Sequence, residues 1–194
     1  MHTPGHAVIN LATLGCIVGH EGAVVAGAIA PDLPIVFLYL YERLRGTPEE
    51  TIWAVCYQNP YWLAIIHGGH SLPLAALAAG LCFALGLPAL AVFFASVALH
   101  AMCDLPVHAI DAHRHFLPFS QYRFISPLSY WDERFHGRKV ALVEALLVFF
   151  CSLFLVRRGV TRIAGILLGL VNLWYVRSYV RSYLWPKRPA AQGG

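Results

Sequence analysis

From residue 140 to 156 the chain carries one charged side chain, Glu144, and a second apolar run, 160–176, follows the turn Arg157-Arg158-Gly159. Each run approaches the ~20 residues that an α-helix needs to cross a bilayer. Further apolar stretches fall at 7–19, 22–41, 61–66, 72–87 and 88–103, and most are shorter than a straight span requires. Only 12% of the 194 residues are charged and 58% are hydrophobic. An ordinary soluble domain clothes its surface with about 25% charged residues, so this chain argues against a freely soluble globule. Aromatic residues at 13% exclude disorder for all but the tail.

The expected fold is all-α: a multi-pass membrane helical bundle built from antiparallel helical hairpins. One hairpin spans 72–103 with an uncharged turn at Gly86-Leu87-Pro88, where proline suits the first turn of the next helix. A second spans 140–176, and Gly165 and Gly169 give its second arm a GxxxG pattern suited to close packing. The N-terminal hairpin turns at Gly19-His20-Glu21-Gly22, and Pro31-Asp32-Leu33-Pro34 is expected to break its second arm. Residues 109–139 are rich in His, Arg, Asp and Pro and read as a structured extramembrane loop. The chain thus divides into hairpins plus loop over 1–139, an anchoring hairpin over 140–185, and a disordered tail over 186–194.

The first Lys or Arg is Arg43, so no basic leader precedes the first apolar run and no signal peptide is expected. If the last two hairpins span, eleven of the 14 basic residues share one side, against Arg157, Arg158 and Arg162 on the other. The excess places the large loop and the C-terminus in the cytoplasm. No basic cluster is interleaved with aromatics along one face, so nucleic-acid binding is not expected. The five cysteines have no CxxC spacing and read as small buried residues.

Ten histidines are many for so apolar a chain, and several sit beside Asp within apolar segments, where an ionisable group is expensive without a partner. His100, Asp104 and His108 are spaced i, i+4, i+8, which lines them along one helix face. Imidazole and carboxylate suit Zn²⁺, Mn²⁺ or Fe²⁺. His67-Gly-Gly-His70 is the second element. His70 lies as far before the turn at Leu87 as Asp104 lies after it, so antiparallel helices put the two at one level, near one membrane interface. By the same arithmetic His67 meets the neighbourhood of Val107 and His108. His6 and Asp32 fall within about one helical turn of each other across the N-terminal hairpin. The candidate metal ligands are therefore His6, Asp32, His67, His70, His100, Asp104 and His108. Asp111, His113 and His115 read as supporting or loop residues, and His2 and His20 as ordinary satisfied or exposed histidines. Glu144 lies away from the level of the site. In the stretch 127–137, Tyr130 and Trp131 beside Arg123, Arg134 and Arg138 fit an interfacial anchor as well as a substrate rim. No HExxH, GxSxG, P-loop or GxGxxG occurs.

The order Thr3-Pro-Gly-His6, Gly27-Ala-Ile-Ala-Pro-Asp32, His67-Gly-Gly-His70-Ser71, His100-x3-Asp104 and Pro118-Phe-Ser120 resembles the predicted membrane-bound metal-dependent hydrolases. Its first part is also similar to zinc-dependent phospholipase C-like proteins. The resemblance covers about residues 1–120. It departs where the family's Arg-Gly-x-Thr before His-Ser is replaced by Ile66-His67-Gly68-Gly69, which leaves His67 without a counterpart. It implies ligand roles for His6, Asp32, His70, His100 and Asp104, and a setting in the cytoplasmic membrane of a prokaryote. The expected activity is metal-dependent hydrolysis of a phosphoester or phospholipid, with membrane lipid as partner and Zn²⁺ as the favoured ion. Asp32 or Asp104, where not a ligand, would serve as general base. Arg114 and Arg123 are the candidates for holding phosphate. The rival reading is a non-catalytic membrane protein with a buried His/Asp network that binds metal or conducts protons.

Overall fold

The computed structural model describes residues 1–185; the tail 186–194 lies outside the described residues. Its regular structure is helical: α1 (Thr3–Val18), α2 (Glu21–Leu44), α3 (Pro60–Gly69), α4 (Leu72–Ala84), α5 (Pro88–Val107), α6 (Gly137–Arg158) and α7 (Arg162–Leu184), with short turns of helix at Glu49–Thr51, Ile52–Cys56 and Glu133–Phe135. Among the described residues, α2, α5, α6 and α7 are long and apolar enough to cross a membrane, and α3 with α4 makes a fifth span if that bent pair counts as one. The protein is all-helical and consistent with an integral membrane protein.

Local chemistry explains where the helices change course. Pro31 and Pro34 tighten α2 into a 3-10 turn at Ala30–Asp32 rather than ending it, contrary to the expected break. Both prolines fall in the first two positions of a new helical segment, where a missing N–H costs little. Between α3 and α4 the chain bends by 50°. Ser71 caps α4 by accepting from Leu74 N at 3.3 Å, and Pro73 follows at the second helical position, so the ladder of α3 has no amide to continue into. His70 sits in that break. In α1 a wider π-type turn spans Leu11–Gly15. The backbone of α6 begins at Gly137, inside the stretch expected to be loop, because Gly137 lies hard against Asp132: an added Cβ would stand 2.7 Å from its carbonyl.

α5 is the centre of the bundle. α2 and α4 pack along it, α1 packs against α2, and α6 and α7 pair with each other and join the rest through α1. The closest approach is at Gly27 of α2, where a Cβ would run into the Phe93 carbonyl of α5 and lie 2.9 Å from Ser96 Cβ. There Ser96 Oγ donates to Val24 O at 2.6 Å and accepts from Asn10 Nδ2 at 2.8 Å, tying three helices together. Gly165 and Gly169, expected to allow close packing, face open space instead. The α1–α6–α7 junction buries Val8, Ile9, Val148, Leu155, Leu168 and Tyr175. Much of the apolar surface of α6 and α7 stays exposed, including Phe150, Ile163, Leu170 and Leu173. A soluble monomer rarely shows so extensive an apolar surface.

Candidate metal centre

Four segments bring ionisable groups to one place. The last turns of α5 supply His100 and Asp104, the break after α3 supplies His70, the 3-10 turn of α2 supplies Asp32, and the first turns of α1 supply Thr3 and His6. One ligand atom from each of Asp32, His70, His100 and Asp104 lies within 4.8 Å of all the others. His70 Nε2 is 3.6 Å from Asp104 Oδ2 and 3.7 Å from Asp32 Oδ1; His100 Nε2 is 3.1 Å and 3.6 Å from the same two oxygens. His70, His100 and Asp104 are fully buried.

The proton positions follow from the backbone. His70 Nδ1 is 2.7 Å from Ile66 O, and His100 Nδ1 is 2.7 Å from Ala28 O. A carbonyl oxygen only accepts, so both Nδ1 atoms carry hydrogen. Each neutral ring then presents a bare Nε2, and the two Nε2 atoms face each other at 3.3 Å. Two imidazole lone pairs and two carboxylate oxygens thus converge without a donor between them. Such a set repels itself unless a cation sits at its centre or an imidazole takes up a second proton. Backbone-fixed imidazoles with Nε2 turned inward beside carboxylates are the donor set of a divalent transition-metal site. The residues present therefore fit a metal ion. Thr3 Oγ1 donates to Asp32 Oδ2 at 2.6 Å, which turns the other oxygen of Asp32 toward the histidines.

Asp104 faces two ways. Its Oδ2 serves His70 and His100, while its Oδ1 meets the Met1 ammonium, His6 Nε2 at 3.0 Å and His108 Nε2 at 3.2 Å. A second group able to hold a metal, Asp104 with His108 and His113, therefore shares this carboxylate. The rings stack in pairs: His6 on His100 with centroids 3.6 Å apart, and His70 on His113 at 4.0 Å. Burial drives His6 down to about 4 against the pull of Asp104, and it drives His113 well below the ordinary imidazole range with His70 adding to the effect. Burial also works against charge on His108, but Asp104 and Asp111 on either side raise it above that range. His115 is pushed down to about 4, chiefly by burial; its Nδ1 donates to His70 O at 3.0 Å.

The remaining expected site residues are placed as follows. His6 meets Asp104 rather than Asp32, because the 3-10 turn at Asp32 aims that carboxylate at Thr3 and the two central histidines. His67 belongs to neither metal group: its ring lies 5.8 Å from that of His113, and its Nδ1 accepts from Arg114 N at 3.5 Å. Arg114 donates to Gln121 Oε1 at 2.7 Å, and Arg123 donates to Ala112 O at 2.7 Å and Ile110 O at 3.1 Å, so both guanidiniums brace the loop. The loop itself bends back over the end of α5 through Ser126 N to His108 O and Tyr130 N to Val107 O.

Three participants escape a reading by spacing alone. Thr3 signals itself only as the first residue of the resemblance motif. His113 reaches the cluster by the fold of the loop. Glu144, expected to lie away from the site, accepts from His2 N at 2.8 Å and from Tyr175 OH at 2.7 Å, and its Oε1 lies 3.1 Å from His2 Nδ1. It thereby holds the residue next to the Met1 ammonium that pairs with Asp104. Its one signal in the sequence is that it is the sole acid in a long apolar run. Comparison with family models, with curated proteins and with solved structures finds no match to this chain.

Proposed function

We propose that this chain is an integral membrane, metal-dependent hydrolase that acts on a phosphoester, with a lipid phosphoester at the membrane interface as the favoured substrate. The observation that carries the reading is the convergence of His70 Nε2, His100 Nε2 and oxygens of Asp32 and Asp104, with both rings protonated on the side facing away. Zn²⁺ suits this set of two imidazoles and two carboxylates best, with Mn²⁺ and Fe²⁺ as the other candidates. The ordered resemblance of five short motifs to membrane-bound metal-dependent hydrolases supports the same reading.

An ion held there supplies Lewis acidity toward a phosphoryl oxygen and makes water more acidic. The chain does the rest. Carbonyls of Ile66 and Ala28 fix the two imidazoles, and Thr3 fixes Asp32. Asp104 couples the central group to His6, His108 and His113. Apolar helices flank the group, and the loop is tied back over the end of α5 through Ser126 N to His108 O and Tyr130 N to Val107 O. Paired helices α4–α5 and α6–α7 act as hairpins in this arrangement, with loop and C-terminus on the cytoplasmic side of a prokaryotic inner membrane, following the eleven-to-three distribution of basic residues. A fusion reporter after Gly194 or within 116–126 tests that orientation.

The deciding experiment is elemental analysis of purified wild-type protein beside Asp104→Ala, with hydrolysis of bis(p-nitrophenyl) phosphate measured on both. Stoichiometric metal and activity in wild type, both lost in the variant, are expected. Substoichiometric metal in wild type would instead favour the buried His/Asp network, in which a second proton on an imidazole takes the place of the ion.

A further inference from the structure

We infer that the hollow between α2, α3, α4 and α5 seats one acyl chain of a membrane lipid and delivers that lipid's headgroup linkage to Asp32 and His70. This rests on the reading of the cluster as a lipid phosphoester hydrolase, and it adds the route by which the substrate arrives. The hollow has a volume of 340 Å³ and is walled by Pro31, Gly68, Gly69, Ser71, Leu74 and Phe94 among others. No lining residue is charged. The one hydroxyl, Ser71, already donates to Leu117 O at 2.5 Å, so nothing here recognises a phosphate or a sugar. Hydrocarbon is the ligand chemistry that remains.

The placement says which hydrocarbon. α5 is long and apolar enough to span, and α3 with α4 forms the bent span beside it. A hollow that runs from exposed Leu74 inward between two such helices opens onto lipid. Its inner end is built from Pro31, the neighbour of Asp32, and from Gly69 and Ser71, which flank His70. A chain lying in it therefore ends beside two of the four converging groups. The glycines and alanines make the space: a Cβ at Gly68 would meet nothing within 4 Å. Lipid tails are as apolar as the hollow, so transfer from bilayer to hollow gains little free energy. The gain is orientation, since a substrate held by its chain presents its linkage in one pose.

The test uses full-length protein in nanodiscs of phosphatidylglycerol that carries a diazirine on the first few acyl carbons. Irradiation followed by peptide mapping should label the segments containing Leu74 and Phe94 in wild type. Gly68→Leu fills the inner hollow, and Ala78→Phe fills it further from the cluster. Both should cut that labelling while labelling of α6 and α7 persists and metal content holds. The rate ratio of long-chain to dihexanoyl phosphatidylglycerol should fall by tenfold to on the order of 10²-fold in both variants, the scale of a substrate misplaced by about an ångström. Leu170→Phe on the outer face of α7 should change neither readout. Equal labelling of Leu74 and Phe94 in wild type and both variants would overturn the inference. If wild type binds metal but hydrolyses neither lipid, the hydrolase reading fails, and the labelling still decides whether the hollow holds a chain.

Discussion

Asp104 and Glu144 are both buried acids in apolar helices of this protein, and their surroundings differ. Asp104 at the end of α5 is met by His6, His70, His100, His108 and the Met1 ammonium. Glu144 in α6 is met by His2 and Tyr175. Further along the α6–α7 pair, Asn172 Nδ2 donates to Ser152 Oγ at 2.8 Å, and Ser152 donates onward to Val148 O. Polar groups in the α6–α7 pair each meet one or two near neighbours, and Glu144 Oε2 is left without a hydrogen-bond partner. At Asp104 the partners outnumber the hydrogens available to them, and several acceptors share one centre. Both regions leave buried polar atoms without partners, but only the region at Asp104 gathers several acceptors around one point, and that arrangement asks for a ligand.

The largest expected effect belongs to that centre. Asp104→Ala or His100→Ala should abolish stoichiometric metal, and wild type should lose thermal stability in chelator, because a ligand bound only by the folded state stabilises it by mass action. Asp104→Ala should melt low and respond little to chelator. Retention of metal in both variants would erase the contrast between the two acids.

The next effect concerns packing. Gly27→Ala forces a Cβ against the Phe93 backbone, which cannot swing aside, and should cost about 1–3 kcal/mol by overpacking. Gly165→Ala in α7 meets open space and should be neutral or slightly stabilising, since alanine favours a helix by up to about 1 kcal/mol over glycine. Detergent melts of the two variants check the pair; equal loss would mean that α7 packs as tightly as α2.

Glu144→Ala strips the acceptor from His2 N and Tyr175 OH and should cost about 1–3 kcal/mol, while Glu144→Gln keeps an acceptor and should cost less. Either change should leave metal stoichiometry closer to wild type than Asp104→Ala does. Complete loss of metal in Glu144→Gln would move that acid into the site.

Acid should act through the loop histidines. Burial holds His115 at about 4 in the fold, below the 6.5 of an unfolded chain. The unfolded state thus binds the proton more readily. Its contribution to stability is whole above about 6.5 and declines as pH falls from there toward 4. Melting temperatures of chelator-treated protein should drop across that window, and a flat profile would mean that the loop opens freely. The smallest loss among the hydrogen-bond variants is expected at Ser152→Ala, about 0.6 kcal/mol, the average of such exchanges between membrane helices.

Apolar runs foretell the helical segments, and the i, i+4 spacing of His100 and Asp104 foretells that those two side chains share a face. What spacing misses is long-range. Nothing local couples Thr3 to Asp32, or His2 to Glu144, because each pair is made by packing of α1 against other helices. The open space at Gly165 and Gly169 has the same cause: a glycine shows that close approach is possible, and only the neighbour decides whether it occurs. The rule for helix interiors predicts a break at Pro31 and Pro34, whereas their positions at segment starts let the helix run on with a tightened turn.

The break between α3 and α4 bears on how the protein is made. α3 has ten residues, about 15 Å of helix, half of the ~30 Å hydrocarbon core. No segment of that length is a stable span on its own, so α3 leans on α2, against which it packs, and reaches the length of a crossing only together with α4. Asp32 and His70 acquire His100 and Asp104 only with the last turns of α5. The centre is thus closed by the fifth helix, and a nascent chain halted before residue 100 holds half of the converging groups, oriented by Thr3 and Ile66 but without the other half.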